Sequence, residues 1–337
     1  MWRTHLWRTH SCVPRSHSCE RFWVFGCSQE CEHVRRMSAS RSGFVSLLGR
    51  PNAGKSTLLN ALVGEKLAIV SDKPQTTRTT IQGVASLDGA QVVFVDTPGI
   101  HKSSTLFNQR MMETVRSSLE ERDVLLYIAD ATVHFSIEDA EAVAALKNLS
   151  TPTLLLINKI DRVPDKRQLL PLIEQFKSIR EFAEYIPVSA KTGEGLDLVR
   201  QAIVSRLPEG PAYFPPDHLT DQPERFLAAE LIREQILGQT RQEVPHAAAV
   251  LIDRWEETPK LTRIAATIYV ERPGQKAIVI GAGGASLKKI GTLARLEIEK
   301  MLNRKVFLEL FVKVQKDWRE NPEFLNAIDW RSMRGEN

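Results

Sequence analysis

A mostly parallel sheet clad by helices, followed by a smaller α+β domain, is the fold class this sequence predicts. Three observations carry the prediction. Short apolar runs alternate with amphipathic stretches from Gly43 to Val188, the mark of a strand–helix repeat. Pro208, Pro211, Pro215, Pro216 and Pro223 then interrupt that pattern. Beyond them the order changes to helix, strand, strand, helix, helix, strand. At 337 residues the chain is long for one typical domain and suits two, and 42% hydrophobic residues suffice for two cores.

The elements follow in order. Phe44–Leu48, Val92–Val95, Val124–Ala129, Thr153–Ile157 and Ile186–Val188 are apolar runs of strand length. Between them Thr57–Val63, Glu138–Leu149 and Leu169–Ile179 have helical spacing. Thr80–Leu87 and Gln91–Val95 flank Asp88-Gly89, a strong hairpin signal, so one edge of the sheet should be antiparallel. The proline-rich stretch should be a semi-rigid linker. After it, Glu224–Gln239 carries a broad apolar face of Phe226, Leu227, Leu231, Ile232 and Ile236. Ala247–Trp255 and Leu261–Val270 read as strands, Ala285–Leu302 as a helix and Val306–Val314 as a last strand. The expected partition is a leader at 1–36, a first domain at 37–207, a linker at 208–223 and a second domain with its tail at 224–337.

Charge and cysteine are concentrated at the start. The whole chain carries +4, of which residues 1–36 contribute +3 from six arginines and three glutamates. All four cysteines (Cys12, Cys19, Cys27, Cys31) lie there, as do four of the eight histidines, without the C-x-x-C pairs of a zinc site. The remaining cysteine-free sequence fits a reducing compartment. Trp-Arg-Thr-His occurs twice, at 2–5 and 7–10, and the segment lacks the apolar core and small-residue cleavage site of a secretory signal. We expect Met37 to be the biological start, with the leader an upstream extension or a disordered tail. No run of about 20 apolar residues occurs, so no membrane-spanning helix is expected.

Gly49-Arg50-Pro51-Asn52-Ala53-Gly54-Lys55-Ser56 matches G-x-x-x-x-G-K-[ST], after an apolar strand and at the opening of a helix. Glycines there let backbone N–H groups turn toward phosphates; Lys55 supplies a charge to the outer phosphates and Ser56 a hydroxyl for Mg²⁺. The helix N-terminus adds partial positive charge. Asp96-Thr97-Pro98-Gly99 closes an apolar strand, placing a carboxylate to reach Mg²⁺ through water and the Gly99 N–H to sense a γ-phosphate. Asn158-Lys159-Ile160-Asp161 follows another strand, where the Asp161 carboxylate can accept from guanine N1 and N2, groups adenine does not offer. Ser189-Ala190-Lys191 follows the next strand and can direct a backbone N–H at guanine O6. Together these motifs make the base guanine.

In this order GRPNAGKS, QTTR, DTPG, NKID and SAK resemble the translation-factor-like small GTPases and, among them, the Era family, over residues 43–318. The resemblance implies a P-loop GTPase domain followed by a type II KH domain. It implies that Gln75–Thr79 is a first switch in which Thr77 completes Mg²⁺ coordination; Thr76 is adjacent, and spacing alone does not choose between them. Ras-like proteins place a glutamine after D-x-x-G, whereas Ile100 stands here and cannot orient water by hydrogen bonding. Asn52 matches a residue that helps hold a catalytic K⁺ in related GTPases, so the catalytic set expected is Lys55, Asn52 and Thr77 with slow intrinsic turnover. Ile100–Arg122 would be the second switch, polar through His101, Lys102, Ser103 and Ser104.

The second domain places Gly281-Ala282-Gly283-Gly284 between two helical segments. A G-x-x-G there permits close approach to a single-stranded phosphate chain, as in KH domains. Residues 272–319 hold eleven Lys and Arg against four acids, a net +7, with no acid from Arg272 to Arg295. Such a patch gives phosphate affinity that falls with salt. Lys276, Lys288, Lys289 and Arg295 are the expected contacts beside the loop, the more so because Ala282 stands where family loops carry a basic residue. The resemblance implies GTP/GDP, 16S ribosomal RNA near its 3′ end and the 30S subunit as partners. It also implies a cytoplasmic monomer and loose association with the inner face of the cytoplasmic membrane. A GTP-regulated protein-interaction module is the competing reading. A metabolic ATPase or kinase is disfavoured by Asn158–Asp161.

Overall fold

The order of strands in the first sheet is β2-β3-β1-β4-β5-β6, formed by Arg41–Gly49 (β1), Ile81–Leu87 (β2), Ala90–Asp96 (β3), Val124–Asp130 (β4), Thr153–Asn158 (β5) and Glu184–Pro187 (β6). The computed structural model describes residues 40–73, 76–99, 105–117, 122–147, 149–240 and 244–329. The leader with Met37, and Gln75, Ile100, His101, Lys102, Ser103 and Ser104 of the expected switches, lie outside the described residues. β1 pairs in parallel with β3 and β4, and β4–β5–β6 continue in parallel. Only β2 runs antiparallel to its neighbour, through the Asp88-Gly89 turn, as the hairpin signal predicted.

β4 and β5 are buried on both faces, which is why they read as unbroken apolar runs rather than alternating ones. One face packs on Lys55–Val63 (α1) and Leu196–Val204 (α5), with Leu58, Leu59, Val199 and Ile203 in the cluster. The other packs on Ile137–Ala144 (α3) and Leu169–Ile179 (α4), where Tyr127, Phe176 and Phe182 meet. Leu106–Ser117 (α2) lies between β3 and β4 in the chain.

Several boundaries differ from expectation. The helix expected over 138–149 stops at Ala144 and continues as turns, with Ser136 capping its start. The strand expected at 186–188 spans Glu184–Pro187, because pairing with β5 rather than apolarity sets its limits. The second switch expected as a polar stretch holds a helix from Leu106 onward, with Phe107 and Met111 buried.

The proline-rich stretch is more than a spacer. Val84 N–H donates to Leu219 O, Thr220 Oγ1 to Gln82 O, and Gln91 Nε2 to Phe214 O. Proline cannot donate to a ladder, yet its neighbours here supply one acceptor and one donor to the edge of β2 and so cover an otherwise open sheet edge.

The second sheet has the order β7-β8-β9, from Ala249–Glu257 (β7), Leu261–Val270 (β8) and Lys305–Val314 (β9); β7–β8 is antiparallel and β8–β9 parallel. β7 begins two residues later than Ala247, because the one-turn helix Val244–Ala247 (α7) precedes it. Glu224–Gln239 (α6), Pro273–Ile280 (α8) and Ala285–Leu302 (α9) cover one face through Ile232, Ile236, Val279, Ile290, Ala294 and Ile298. Pro322–Ala327 (α10) ends the described elements. Both sheets belong to one compact unit, Ala39–Asn337. Among the described residues no single helix is long and apolar enough to cross a membrane.

Candidate functional site

The loop between β1 and α1 is shaped by its glycines. Gly49 and Gly54 have φ of 144° and 94°, and a Cβ on them would stand 2.3 Å from Ile128 O and from Asn158 Nδ2 respectively. Gly54 caps α1 in the left-handed region, so the first N–H groups of that helix open toward the loop. Lys55 is buried and donates to Gly49 O at 3.0 Å and Arg50 O at 2.9 Å, which folds its amine back over the loop. Burial lowers its pKa to about 8, against the pull of Asp96.

Beside it three side chains converge. Ser56 Oγ and Thr77 Oγ1 both donate to Asp96 Oδ2, at 2.7 and 3.0 Å, and stand 2.8 Å from each other. Thr76 Oγ1 is turned away, donating to Lys73 O at 2.6 Å. Asp96 is wholly buried, which pushes its pKa up while Lys55 and both hydroxyls oppose the shift. Its second oxygen, Oδ1, has no hydrogen-bond partner among the described residues, a costly arrangement for a buried carboxylate. Two hydroxyls and an unsatisfied carboxylate oxygen are a hard-oxygen donor set of the kind Mg²⁺ takes together with water and phosphate. Thr97 donates to Leu47 O at 2.7 Å, and Pro98 and Gly99 are buried; a Cβ on Gly99 would stand 2.8 Å from the Pro51 nitrogen.

The third and fourth motifs lock onto the first. Asn158 donates to Ala53 O at 2.8 Å and accepts from the Ala190 N–H at 3.0 Å, tying three loops together. Lys159, in the left-handed region with φ 66°, ion-pairs with Asp130 at 2.5 Å. Asp161 is exposed, and Ser189 Oγ donates to its Oδ1 at 2.7 Å; that bond holds the carboxyl below its ordinary pKa, so it stands ionised. Ile160 is core, and Lys191 is exposed. A cavity of about 350 Å³ opens among Asn52, Lys55, Ser56, Thr77, Gly99 and Lys159.

Two members of the loop use their side chains elsewhere. Arg50 pairs with Asp139 at 3.0 Å and Glu138 at 3.3 Å, so only its backbone faces the loop. Asn52, with φ 63°, donates its amide to Asp72 O at 2.8 Å, and its side-chain oxygen accepts no bond among the described residues. Asp130 and Asp139 were missed by sequence reasoning; an acid at the end of an apolar strand, as at Asp96, was the available signal for Asp130.

In the second sheet's layer, Gly281, Gly283 and Gly284 have φ of 72°, 56° and 81°, and Ala282 is exposed between them. The loop thus joins α8 to α9 by a backbone only glycine adopts readily. Lys288 and Lys289 are exposed on the first turn of α9 and Lys276 is half-buried on α8; no ion pair engages these three among the described residues. Arg295 differs: it pairs with Glu299 at 3.0 Å, tying α9 to the start of β9 through Val306 N–H.

A family model described as a 50S ribosome-binding GTPase matches residues 44–159, and one described as a KH domain matches residues 243–319. The chain is 50% identical over 292 residues to GTPase Era of Geobacter metallireducens, covering 86% of this chain and 98% of that protein. This chain belongs to the Era family of GTPases. GTPase Era of Syntrophus aciditrophicus is likewise 50% identical, over 86% of this chain and 95% of its own. Among solved structures, Era in complex with MgGDPNP and nucleotides 1506–1542 of 16S ribosomal RNA superposes with a TM-score of 0.84 at 41% identity, covering 86% and 99% of the two chains. An Aquifex aeolicus Era variant bound to GDP·AlF4⁻ gives 0.83 at 42% identity, with the same coverage. In this Era-family GTPase the Gly49–Ser56 loop lies between β1 and α1, and the Gly281–Gly284 loop between α8 and α9.

The buried Lys55 predicts a pH dependence. Phosphates favour the ammonium form, so the bound pKa exceeds the free value of about 8. Affinity should be flat below that pH and fall above it, approaching tenfold per unit between about pH 8 and 9. A flat profile for GDP across that window would show that the Lys55 charge is not engaged.

Proposed function

We propose that the nucleotide held at 49–56 controls how this chain holds the 3′ end of 16S ribosomal RNA during maturation of the 30S subunit. In this reading residues 37–207 are the GTPase domain, 208–223 the linker and 224–337 the RNA-binding KH domain. The observation that carries it is that the switch threonine and the basic G-x-x-G layer belong to one packed unit, in which Thr76 O is held by Arg233 of α6.

Ser56, Thr77 and Asp96 would hold Mg²⁺, with Asp96 acting through water. When bound, the ion neutralises charge on the outer phosphates. The chain's own residues do the rest. Backbone N–H groups of Gly49 to Ser56 cradle phosphate, and Lys55 donates to the outer oxygens. Gly99 N–H reads the γ-phosphate. Asp161, kept ionised by Ser189, accepts from guanine N1 and N2, and the Ser189–Lys191 backbone faces O6. With a γ-phosphate in place Thr77 would hold the ion beside it, which makes the first switch a reporter of GTP.

The free side-chain oxygen of Asn52 fits a monovalent cation beside the phosphates, where K⁺ would add positive charge. Turnover should slow when NaCl replaces KCl at equal ionic strength; equal rates would reject this role.

Gly281–Gly284 with Lys276, Lys288 and Lys289 would lie along the RNA phosphates, and Arg295 would contribute less because Glu299 holds it. Binding of 3′-terminal 16S RNA should then weaken about 10-fold or more between 50 and 200 mM salt. No binding, or salt-insensitive binding, would favour the protein-interaction module instead. The reading includes a cytoplasmic monomer and peripheral contact with the inner face of the cytoplasmic membrane, both carried by the family resemblance alone.

A further inference from the structure

The segment that ends in Thr77 is fastened to the second layer at every few residues. Lys66 Nζ pairs with Glu234 at 2.7 Å and Glu297 at 2.9 Å, and Val70 N–H donates to Glu234 Oε1 at 2.8 Å. Ile69, 1% exposed, belongs to the core cluster of α6, β8 and α9 rather than to that of the first sheet. Next to Glu234 on α6, Arg233 is only 2% exposed and lies on the buried side of the helix. Its Nη2 donates to Thr76 O, while Glu230 takes Nε at 2.7 Å and Nη2 at 2.6 Å, fixing the guanidinium plane.

On the other side of Thr77 the arrangement is mirrored. Arg78, 7% exposed, reaches out of the switch into the second layer, donating to Ala248 O at 2.6 Å and Pro245 O at 3.0 Å. Its guanidinium lies 5.5 Å from the Phe107 ring of α2 and 5.7 Å from that of the fully buried Trp318. Thr77 is thus the one residue between two peptide anchors, both charge-assisted and both made to the second layer. Its side chain is the one turned to Ser56 and Asp96.

We propose that Arg233, with Arg78 as its counterpart, is a positioning residue for the GTP state: it sets the Thr77 hydroxyl from the RNA-binding layer. Moving the Thr76 carbonyl off Arg233 removes the acceptor that ties it to the switch and leaves only the Glu230 pair on a buried guanidinium whose Nη1 is already unpartnered among the described residues, so withdrawal of Thr77 is felt at α6. Nucleotide state and the packing of α6 then form one two-state element, and whatever biases one biases the other by the same free energy. This rests on reading Thr77 as the residue that reports the γ-phosphate.

The test uses the full chain and measures affinity for a non-hydrolysable GTP analogue and for GDP, both with Mg²⁺, and kcat for GTP. Arg233→Met should lower analogue affinity about tenfold and reduce kcat while leaving GDP affinity within about twofold. Arg233→Lys, which keeps the charge and a donor nitrogen but not the planar fork, should recover part of the loss. An unchanged ratio of analogue to GDP affinity with unchanged kcat would overturn the proposal, as would equal weakening of both nucleotides. Should Arg233→Met show no cooperative thermal transition, Arg78→Lys must show the same selective loss of analogue affinity, or the proposal fails. Thr77→Ala separates the role of Thr77 from that of the arginines. If it too fails to distinguish the nucleotides, the reading of Thr77 is what falls; if it distinguishes them and the arginine variants do not, the positioning role falls alone.

Discussion

Asp161→Asn should reverse the base preference of this GTPase. Asp161 is exposed, ionised and held by Ser189 Oγ at 2.7 Å, so its acceptors are aimed and charged before the base arrives. Guanine offers two donors, N1–H and the 2-amino group, and an asparagine can accept from only one of them with its single oxygen. Its amide instead suits xanthine, whose C2 carries a carbonyl oxygen. Affinity for GDP should fall about a hundredfold or more, and XDP should become the tighter ligand. Ser189 can still donate to the asparagine oxygen, so the loop should keep its shape and the melting temperature should stay close to that of the parent. Competition of labelled GDP by GDP, XDP and ADP measures it. An unchanged preference for GDP would mean that Asp161 does not read the base and would reopen the ATPase reading.

Replacing Gly281 and Gly284 by aspartate should cost RNA binding at least about tenfold while sparing nucleotide binding. Two effects act in the same direction. A Cβ at Gly281 would stand 2.7 Å from that of Ser286, at a φ of 72° that side chains avoid. Each aspartate also puts a negative charge where phosphates would lie, against a stretch from Arg272 to Arg295 that has no acid of its own. The check is a titration of 3′-terminal 16S RNA beside a GDP titration on the same preparation. Retained RNA affinity with intact GDP binding would move the RNA surface away from this loop.

How much of this was legible in the sequence depended on the range of the interaction. The phosphate loop was legible because its geometry is local: Gly49 and Gly54 adopt backbones that other residues avoid, and the motif sits between a strand and a helix. The guanine motifs were legible because each follows a strand in the same sheet, so their order along the chain is their order in space. The choice between Thr76 and Thr77 was not, since neighbouring residues in an extended segment differ only in which side faces Asp96, and Asp96 lies 19 residues away in the chain. The proline-rich stretch read as a spacer because its bonds to Val84 and Gln91 use its own carbonyls and N–H groups, which carry no side-chain signature; Thr220, whose hydroxyl meets Gln82 O, looks like any loop threonine. Arg233 was hidden for the same reason. Its partner is the Thr76 carbonyl, and a single arginine in an amphipathic helix looks like a solvated residue until the backbone it meets is in place.

The proposed function makes one relation central: the nucleotide bound at the P-loop would set the affinity for RNA, and RNA would then set the affinity for nucleotide by the same factor. The most direct measurement is the dissociation constant of 3′-terminal 16S RNA for this chain saturated in turn with a non-hydrolysable GTP analogue and with GDP, at one salt concentration and in the presence of Mg²⁺. The two constants should differ by about fivefold or more, with the reciprocal experiment giving the same ratio. Equal RNA affinity in the two states would contradict it.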